Sequence, residues 1–294
     1  MNGIINILKP IGMTSTDVVR WIKRKIKIDK VGHIGTLDPG ATGVLPICVG
    51  KATKLVQFYS QEEKSYRAEI TLGITTDTQD AFGRELSKII PQVTLADLKR
   101  VLSKFRGNIT QIPPMFSAVR KQGKHLYDYA RQGIEIERPE REVSITKLEL
   151  ISWQDDVFPK ALLDIECSKG TYIRTLCQDI GEELGCGAHM SFLLRLRAGK
   201  FTLDSSYTLE EIEYFLAKKD ESFVLSPDWG LTLPEVRIPQ SRLIAFKNGL
   251  PSSRTMLRGV RSSEGQLIKV YCDKQFLGIG IWKNDSLYPN KVLI

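Results

Sequence analysis

A glycine-rich segment in the first fifth of the chain contains the most distinctive residues for chemistry. It reads GHIGTLDPGATGVLPICVGKATKL over residues 32–55, and its one acidic residue is Asp38. Asp-Pro-Gly is a strong turn former, because proline fixes φ and the Asp side chain bonds to nearby backbone. A turn is therefore one interpretation, and an acid placed for catalysis is another. A phosphate-binding P-loop is excluded, because Leu45 and Ala52 stand where that motif needs a glycine and a hydroxyl residue.

The same segment closely resembles the signature of bacterial tRNA pseudouridine synthases of the TruB family, which modify uridine 55 in the TΨC arm. Three further stretches resemble that family in the same order: KSYRAEITLGITTDTQDAFG, IPPMFSAVRKQGKHLYDYARQG and CSKGTYIRTLCQDIGEELGCGAH. LKP near the start and LLRLRAGKF after the third stretch match as well. The resemblance covers roughly residues 3–210. The tail resembles a shortened PUA-like RNA-binding module more weakly.

The resemblance implies roles for particular side chains of this sequence. Asp38 matches the catalytic aspartate, Tyr66 the tyrosine that stacks on the target base, and Arg174 the arginine that pairs with the aspartate. Further positions match residues that contact the substrate or supply supporting polar groups: His33, Tyr172, Leu193, Lys9 and Asp80. None of these positions departs from the family pattern. One variation is Gly40, where relatives often carry a larger residue, and the loop should tolerate it.

The implied reaction sets its own chemical requirements. Pseudouridine formation breaks a glycosidic C–N bond and forms a C–C bond at the same sugar carbon, so it needs no cofactor and no metal. The target base must leave the folded RNA, and an ionised carboxylate must then act as nucleophile or as base. Arg174 would offset the desolvation of Asp38, while Tyr66 and Leu193 would enclose the base. His33 would fill the gap left in the RNA stack.

Each of these residues, taken alone, also has a purely structural interpretation. Tyr66 suits a strand as a core aromatic, and Arg174 suits a helix as a surface charge or a structural ion pair. The remaining candidates have equally ordinary alternatives as core, helix-packing or turn residues: Tyr172, Leu193, His33 and Asp80. Their joint occurrence in the family order favours the catalytic interpretation.

The elements that would position these residues alternate irregularly between strands and helices. Hydrophobic periodicity predicts strands at residues 4–8, 66–72, 143–151 and 161–167, and helices opening near Thr14 and Thr94, over 209–217, and within the TYIRT stretch up to Gly185. This mixture lacks strict βαβ alternation and favours an α+β fold over a doubly wound sheet. The resemblance implies a pseudouridine synthase fold with a mixed central β-sheet flanked by helices.

Prolines after residue 226 mark a linker that divides the chain into two regions. The resemblance implies a catalytic domain at 1–230 and a small β-rich PUA-like RNA-binding domain at 231–294. Residues 107–142 are rich in Pro, Arg, Lys and Tyr, which predicts a protruding thumb-like insertion with a short helix near residues 126–131. Aromatic and basic residues together suit unpaired RNA, although a surface excursion without a ligand is equally consistent.

The overall charge favours a polyanionic partner. Lys and Arg number 42 against 34 for Asp and Glu, giving a net charge of +8. Many basic proteins bind no nucleic acid, so charge alone leaves both interpretations open. Lys23 and Arg24 lie on the basic face of the first predicted helix, which suits phosphate contact or simple solvation. We expect the T-arm of tRNA as partner, and a monomer without an obligate protein partner. An RNA-binding tRNA-folding chaperone is the alternative function.

Cysteine usage and hydropathy predict the compartment. The five cysteines form an odd set with no CxxC pair, which argues against disulfides. Cys186 and His189 have the spacing of a pair of zinc ligands. Structural zinc sites usually contain two such pairs, so this single pair predicts ordinary thiols and no metal. No apolar run is long enough to span a bilayer, and the start lacks the features of a secretory signal. We therefore expect a cytoplasmic protein with no membrane contact.

Overall fold

The structure is a computed structural model that describes residues 1–121, 123–257 and 263–294. Within this part of the chain a ten-stranded sheet, a five-stranded sheet and two short hairpins form. The strands are β1 (Gly3–Lys9), β2 (Val31–His33), β3 (Thr42–Val49), β4 (Lys64–Leu72), β5 (Ile74–Thr76), β6 (Glu85–Lys88), β7 (Gly107–Gln111), β8 (Arg120–Lys121), β9 (Lys124–His125), β10 (Arg141–Gln154), β11 (Lys160–Cys167), β12 (Ala188–Ala198), β13 (Phe201–Thr202), β14 (Val224–Leu225), β15 (Glu235–Arg237), β16 (Ser252–Ser253), β17 (Leu267–Cys272), β18 (Gln275–Lys283) and β19 (Ser286–Val292). The helices are α1 (Ser15–Ile26), α2 (Val56–Tyr59), α3 (Leu95–Lys104), α4 (Leu126–Ala130), α5 (Ile173–Glu183), α6 (Leu209–Ala217) and α7 (Leu243–Lys247).

The large sheet is mixed. Its strands follow the order β14, β1, β3, β12, β4, β11, β10 and β7, with β2 paired to β3 and β13 to β12. Strands β3 and β12 run parallel, and the other neighbours along this path are antiparallel. The predicted α+β class with a mixed central sheet is confirmed. The order also brings β3, β12 and β4 together at the centre of the sheet.

Two helices begin at the predicted threonines. Thr14 caps α1 and Thr94 caps α3, each in a capping box closed by an aspartate three residues later. The apolar positions of α1, including Val18 and Ile22, are buried in the main core. The basic side chains of α1 lie on its exposed side, so Lys23 and Arg24 remain available to a partner.

Helix α5 lies closer to the sheet than a larger side chain would allow. A Cβ atom added at Gly181 would lie 2.3 Å from the backbone nitrogen of Ala188, the first residue of β12. Gly185, at φ +74°, follows the helix in the left-handed region, as the glycine-stop prediction expects. The close approach packs the last turn of α5 against the first residue of β12.

The predicted insertion is shorter than residues 107–142. Strand β7 pairs with the beginning of β10, so residues 107–111 belong to the large sheet and the irregular excursion begins at Ile112. Its short helix is present as α4. Sequence reasoning placed the boundary too early, because a five-residue edge strand carries few apolar residues.

The β-rich tail forms the separate five-stranded sheet, in the order β15, β17, β18, β19, β16. Trp282, Val270 and Phe246 contribute to its own core. Ile279 and Leu293 instead join a cluster that includes residues of the large sheet. The described residues contain no helix that is long and apolar enough to cross a membrane.

Candidate active site

Asp38 lies in the loop between β2 and β3, and neighbouring groups fix this loop on both sides. The Ser15 hydroxyl at the start of α1 donates to the Leu37 carbonyl at 3.0 Å and accepts from the Leu37 N–H at 2.8 Å. The Pro39 carbonyl accepts from the Gly12 N–H at 2.8 Å. Asp38 is therefore part of a turn, as Asp-Pro-Gly predicts, and the turn is bonded directly to the N-terminal segment.

Arg174 forms an ion pair with Asp38. Its Nε lies 3.0 Å from Asp38 Oδ2, and only 6% of the arginine side chain is exposed. The remaining nitrogens donate to the Thr78 carbonyl at 3.0 Å and the Phe116 carbonyl at 2.8 Å. Asp80 is a second, more distant carboxylate, 3.7 Å from Arg174 Nη1. These bonds fix the plane of the guanidinium, so it presents one edge to Asp38.

The start of α5 brings Arg174 to this position. Tyr172 is the N-cap residue, and its backbone N–H donates to Gln111 Oε1 at 3.0 Å while its carbonyl accepts from Gln111 Nε2 at 3.2 Å. Gln111 is the last residue of β7 and is buried. The amide therefore fixes the first turn of the helix to the sheet.

Burial and charge act on Asp38 in opposite directions. Protein atoms surround the carboxyl group, and this burial raises its pKa above the ordinary range, while Arg174 lowers the pKa and Asp80 raises it. The side chain is still 38% exposed, because it opens into a cleft. Arg174 is thus the strongest group that favours the ionised form.

The cleft above this ion pair has a volume of about 290 Å³. Tyr66 on β4 and Leu193 on β12 form part of its wall, and these strands are neighbours in the sheet. Tyr172 and residues 117–118 of the insertion line the side next to α5. The size is at the lower end of the range for small-ligand sites, about 300–1,000 Å³. An aromatic ring, an apolar side chain and a carboxylate thus face one space.

The structure brings five of the eight predicted residues to this cleft: Asp38, Tyr66, Tyr172, Arg174 and Leu193. The other three lie behind or beside it: Lys9, His33 and Asp80. The proposed roles of all eight residues in catalysis or substrate binding stay predictions. The following contacts describe the three outlying residues.

Lys9 and Asp80 hold the walls of the site. The Lys9 ammonium group donates to the carbonyls of Met13 at 2.6 Å and Pro39 at 3.4 Å, and burial lowers its pKa to about 8. Asp80 Oδ1 accepts from the Thr78 hydroxyl at 2.6 Å and the Phe82 N–H at 3.0 Å. Both residues therefore stabilise loops that carry or contact the ion pair.

His33 is the last residue of β2. Its Nδ1 is buried and has no hydrogen-bond partner among the described residues. Burial, together with the nearby Arg195 charge, lowers the pKa of the imidazole and so favours its neutral form. A neutral ring is compatible with the predicted position in an RNA stack.

Sequence reasoning missed Arg195. This residue of β12 is 1% exposed and lines the cleft, where its guanidinium donates to the carbonyls of Val44 at 2.7 Å, Thr36 at 3.2 Å and Gly35 at 3.3 Å. Its charge lies close to the Tyr66 hydroxyl. The signal was available, because Arg195 occupies the same inward-facing alternation as Leu193 in FLLRLRA.

Lys64 is a second missed residue of the cleft. Its ammonium group donates to the Ser60 carbonyl at 3.0 Å and to the Glu62 carbonyl, and burial lowers its pKa to about 8. Lys64 is the first residue of the stretch KSYRAEITLGITTDTQDAFG, which was the available signal, but no role was predicted for it.

The thiols show no arrangement for metal binding. All five cysteines are free and buried, and burial raises the pKa of Cys167 to about 11. Among the residues that the structure describes, no three His, Cys, Asp or Glu side chains are grouped so that they could hold a metal ion.

Comparison with known proteins gives a consistent result over the whole chain. The model of the TruB family pseudouridylate synthase N-terminal domain matches residues 23–173, and that of the tRNA pseudouridylate synthase B C-terminal domain matches residues 174–233. A protein of Alkaliphilus oremlandii named tRNA pseudouridine synthase B is 46% identical over 290 residues, covering 97% of this chain and 95% of the relative. Its namesake from Heliobacterium mobile is 46% identical over 299 residues, covering 100% and 95%. A chain of the Cbf5–Nop10–Gar1 complex superposes with a TM-score of 0.75 at 28% identity, covering 99% of this chain and 85% of that chain.

Proposed function

This chain belongs to the TruB family of pseudouridylate synthases, and we propose that it isomerises uridine 55 in the T arm of tRNA to pseudouridine without a cofactor. The names of the relatives support tRNA as the substrate. The choice of uridine 55 rests on the resemblance of the sequence motifs. The net charge of +8 is compatible with such a polyanion.

The observation that carries the proposal is the Asp38–Arg174 ion pair at the floor of a cleft. At an Nε–Oδ2 distance of 3.0 Å, Arg174 favours the ionised carboxylate and so opposes the effect of burial, which raises the pKa of Asp38. An ionised carboxylate is reactive as nucleophile or as base, and both roles require it to reach the nucleotide. Tyr66 offers a ring face to the uracil, and Leu193 bounds the pocket on the β12 side.

Base flipping is part of the proposal, because the Asp38 carboxylate lies inside a cleft and not on an open surface. A uridine stacked in a folded T arm cannot bring its glycosidic bond to the floor of this cleft, so the nucleotide must swing out of the stack. The insertion contributes Ser117 and Ala118 to the rim, where it would contact the RNA. We also propose that the sheet within residues 231–294 binds RNA as a separate PUA-like module.

The experiment replaces Asp38 with asparagine, which keeps the shape of the side chain and removes its charge. Release of tritium from C5-labelled uridine in a tRNA transcript should be abolished, while tRNA affinity should stay within about threefold of the wild type, because phosphate contacts dominate affinity. Asp164→Asn is the matched control. Asp164 pairs with Arg67 at 2.8 Å on the same sheet, and it does not line the cleft.

Three outcomes contradict the proposal. If Asp38→Asn still released tritium at the wild-type rate, Asp38 would not be the reactive group. If the wild-type protein bound tRNA and released no label, the tRNA-folding chaperone would be the better description. A transcript with cytidine at position 55 tests the target, because modification mapped at any other uridine would contradict the choice of position.

A further inference from the structure

Phe82 is an exposed aromatic residue directly beside the loop that carries Asp38. The side chain is 69% exposed, which is unusual for a phenylalanine in a well-packed domain. One part of its ring lies against Gly40: a Cβ atom added there would lie 2.0 Å from Phe82 Cε2. Gly40 therefore leaves the space that the ring occupies.

The backbone around Phe82 is fixed, so the ring is held in this position. The Phe82 N–H donates to Asp80 Oδ1 at 3.0 Å, and the Ala81 N–H donates to the Met190 carbonyl of β12 at 3.1 Å. Asp80 in turn lies 3.7 Å from Arg174. The same carboxylate thus supports both the ion pair and the exposed ring.

Phe82 is part of a larger apolar surface around Asp38, which we call the apolar rim and define as Ile11, Phe82 and Phe192. Phe82 and Phe192 line one small cavity together with Asp38 and Gly40. Ile11 precedes Gly12, whose N–H donates to the Pro39 carbonyl at 2.8 Å on the other side of the loop. Ile11 is 59% exposed and Phe192 37%. Asp38 and Leu193 line both this cavity and the cleft, so this part of the apolar rim lies next to the cleft.

We propose that Phe82 stacks on a base that neighbours the target uridine and so contributes to the binding of the RNA beside Asp38. The inference rests on the proposed function. When the target nucleotide leaves the stack, the adjacent base loses its partner on one side. A ring supported from behind by Gly40 and open on its other side replaces that partner. Aromatic side chains bind unstacked bases in this way without hydrogen bonds to their edges.

The test combines a protein variant with a modified RNA. Phe82→Ala should weaken the equilibrium binding of a T-arm RNA about 10- to 100-fold. Removing the base on one side of the target uridine should weaken binding to the wild-type protein by a similar factor. The same removal should have little further effect on binding to the Phe82→Ala variant. Leu86→Ala is the control, because Leu86 is 60% exposed on the neighbouring strand β6 and does not line the cleft. If the effects of Phe82→Ala and of base removal on affinity are non-additive at one flanking base only, the result supports stacking.

A second variant examines the contact with Gly40. Gly40→Ala places a methyl group where the Phe82 ring lies and should displace the ring. RNA binding should therefore weaken when Gly40→Ala is made in the wild-type protein, and should not weaken further when it is made in the Phe82→Ala variant. This dependence separates a displaced ring from a direct effect of the substitution on the Asp38 loop. Equal losses of affinity from Gly40→Ala in the two backgrounds would contradict the inference.

The rate–pH profile distinguishes stacking from a shielding role. Phe82→Ala should raise KM for the RNA, and should leave kcat at saturation and the acid limb of the profile unchanged. If affinity is unaltered and the acid limb moves to lower pH, Phe82 shields Asp38 from water, and the stacking inference is wrong. Additive effects of Phe82→Ala and base removal at both flanking positions overturn it as well. If the wild-type protein shows no turnover, the proposed function is wrong. This result is distinguishable from failure of the stacking inference, which the variants and the modified RNAs test in a protein that is active.

Discussion

Replacing Arg174 with alanine should move the acid limb of the rate–pH profile to higher pH. The guanidinium is the strongest group that lowers the pKa of Asp38, whose burial raises it. Its loss therefore raises the pKa of Asp38 further, so that more of the enzyme is protonated and inactive at a given pH. The rate should recover as the pH rises through the new pKa.

The size of the shift follows from the distance between the charges. At 3.0 Å, the Coulomb energy of the pair is about 1.4 kcal/mol in water and about 5.5 kcal/mol at an effective dielectric constant of about 20. The carboxylate is 38% exposed, and Lys9 and Arg195 continue to favour its ionised form, so the effective value lies in the lower part of this range. About 2 kcal/mol corresponds to an activity loss of about 30-fold on the acid limb.

The assay is tritium release from C5-labelled tRNA under single-turnover conditions, over the pH range in which the tRNA stays folded. Arg174→Lys restores the charge without the bonds to Thr78 and Phe116, so its acid limb should return toward that of the wild type. Arg67→Ala removes a guanidinium that pairs with Asp164 outside the cleft, and its profile should not change. An acid limb in Arg174→Ala that coincides with the wild type would refute the electrostatic role.

Two further predictions concern the basic residues around the site. Arg195→Met removes the donors to three carbonyls, so the free energy of unfolding measured with urea should fall by about 2–4 kcal/mol. Arg197 on the same strand is half-buried, so Arg197→Met should lower the free energy of unfolding by less than about 1 kcal/mol. Equal decreases from the two substitutions would contradict the role of Arg195 in stabilising the loop. Replacing Lys23 and Arg24 together by alanine should weaken tRNA binding and lower the slope of log K against log salt by about 1–2. Lys99→Ala on α3 is the control, and an unchanged slope in the double variant would remove α1 from the interface.

Local signals in the sequence were sufficient for the four longest helices and for four strands of the large sheet. Thr14 and Thr94 open helices because each has an aspartate three residues later and an apolar stripe after it. The ordered motifs also predicted Asp38 and Arg174 as partners, although these residues lie in different elements and are distant in sequence. Their ion pair could be predicted only through the resemblance, because no local pattern relates a loop carboxylate to a residue at the start of α5.

The contacts of the supporting groups could not be predicted in the same way, although alternation along β12 indicates that Arg195 faces the same side as Leu193. Arg195 contacts the loop before Asp38 because β12 runs parallel to β3, and this pairing joins residues about 150 apart in the chain. The position of Phe82 depends on the missing side chain of Gly40, a contact that alternation and capping rules do not describe. The insertion began later than expected for a related reason, since β7 is ordered by pairing with β10 and not by its own composition.

The cations behind the Asp38 loop have a structural and an electrostatic effect at once. The Lys9 ammonium group and the Arg195 guanidinium are buried, and both donate to backbone carbonyls around the loop. Among the described residues neither forms an ion pair with a carboxylate. Since backbone carbonyls leave the net charge of the donor intact, both cations also lower the pKa of Asp38. A neutral substitution at either position therefore changes the geometry of the loop and the ionisation of Asp38 together, whereas Arg174→Lys largely separates the two effects.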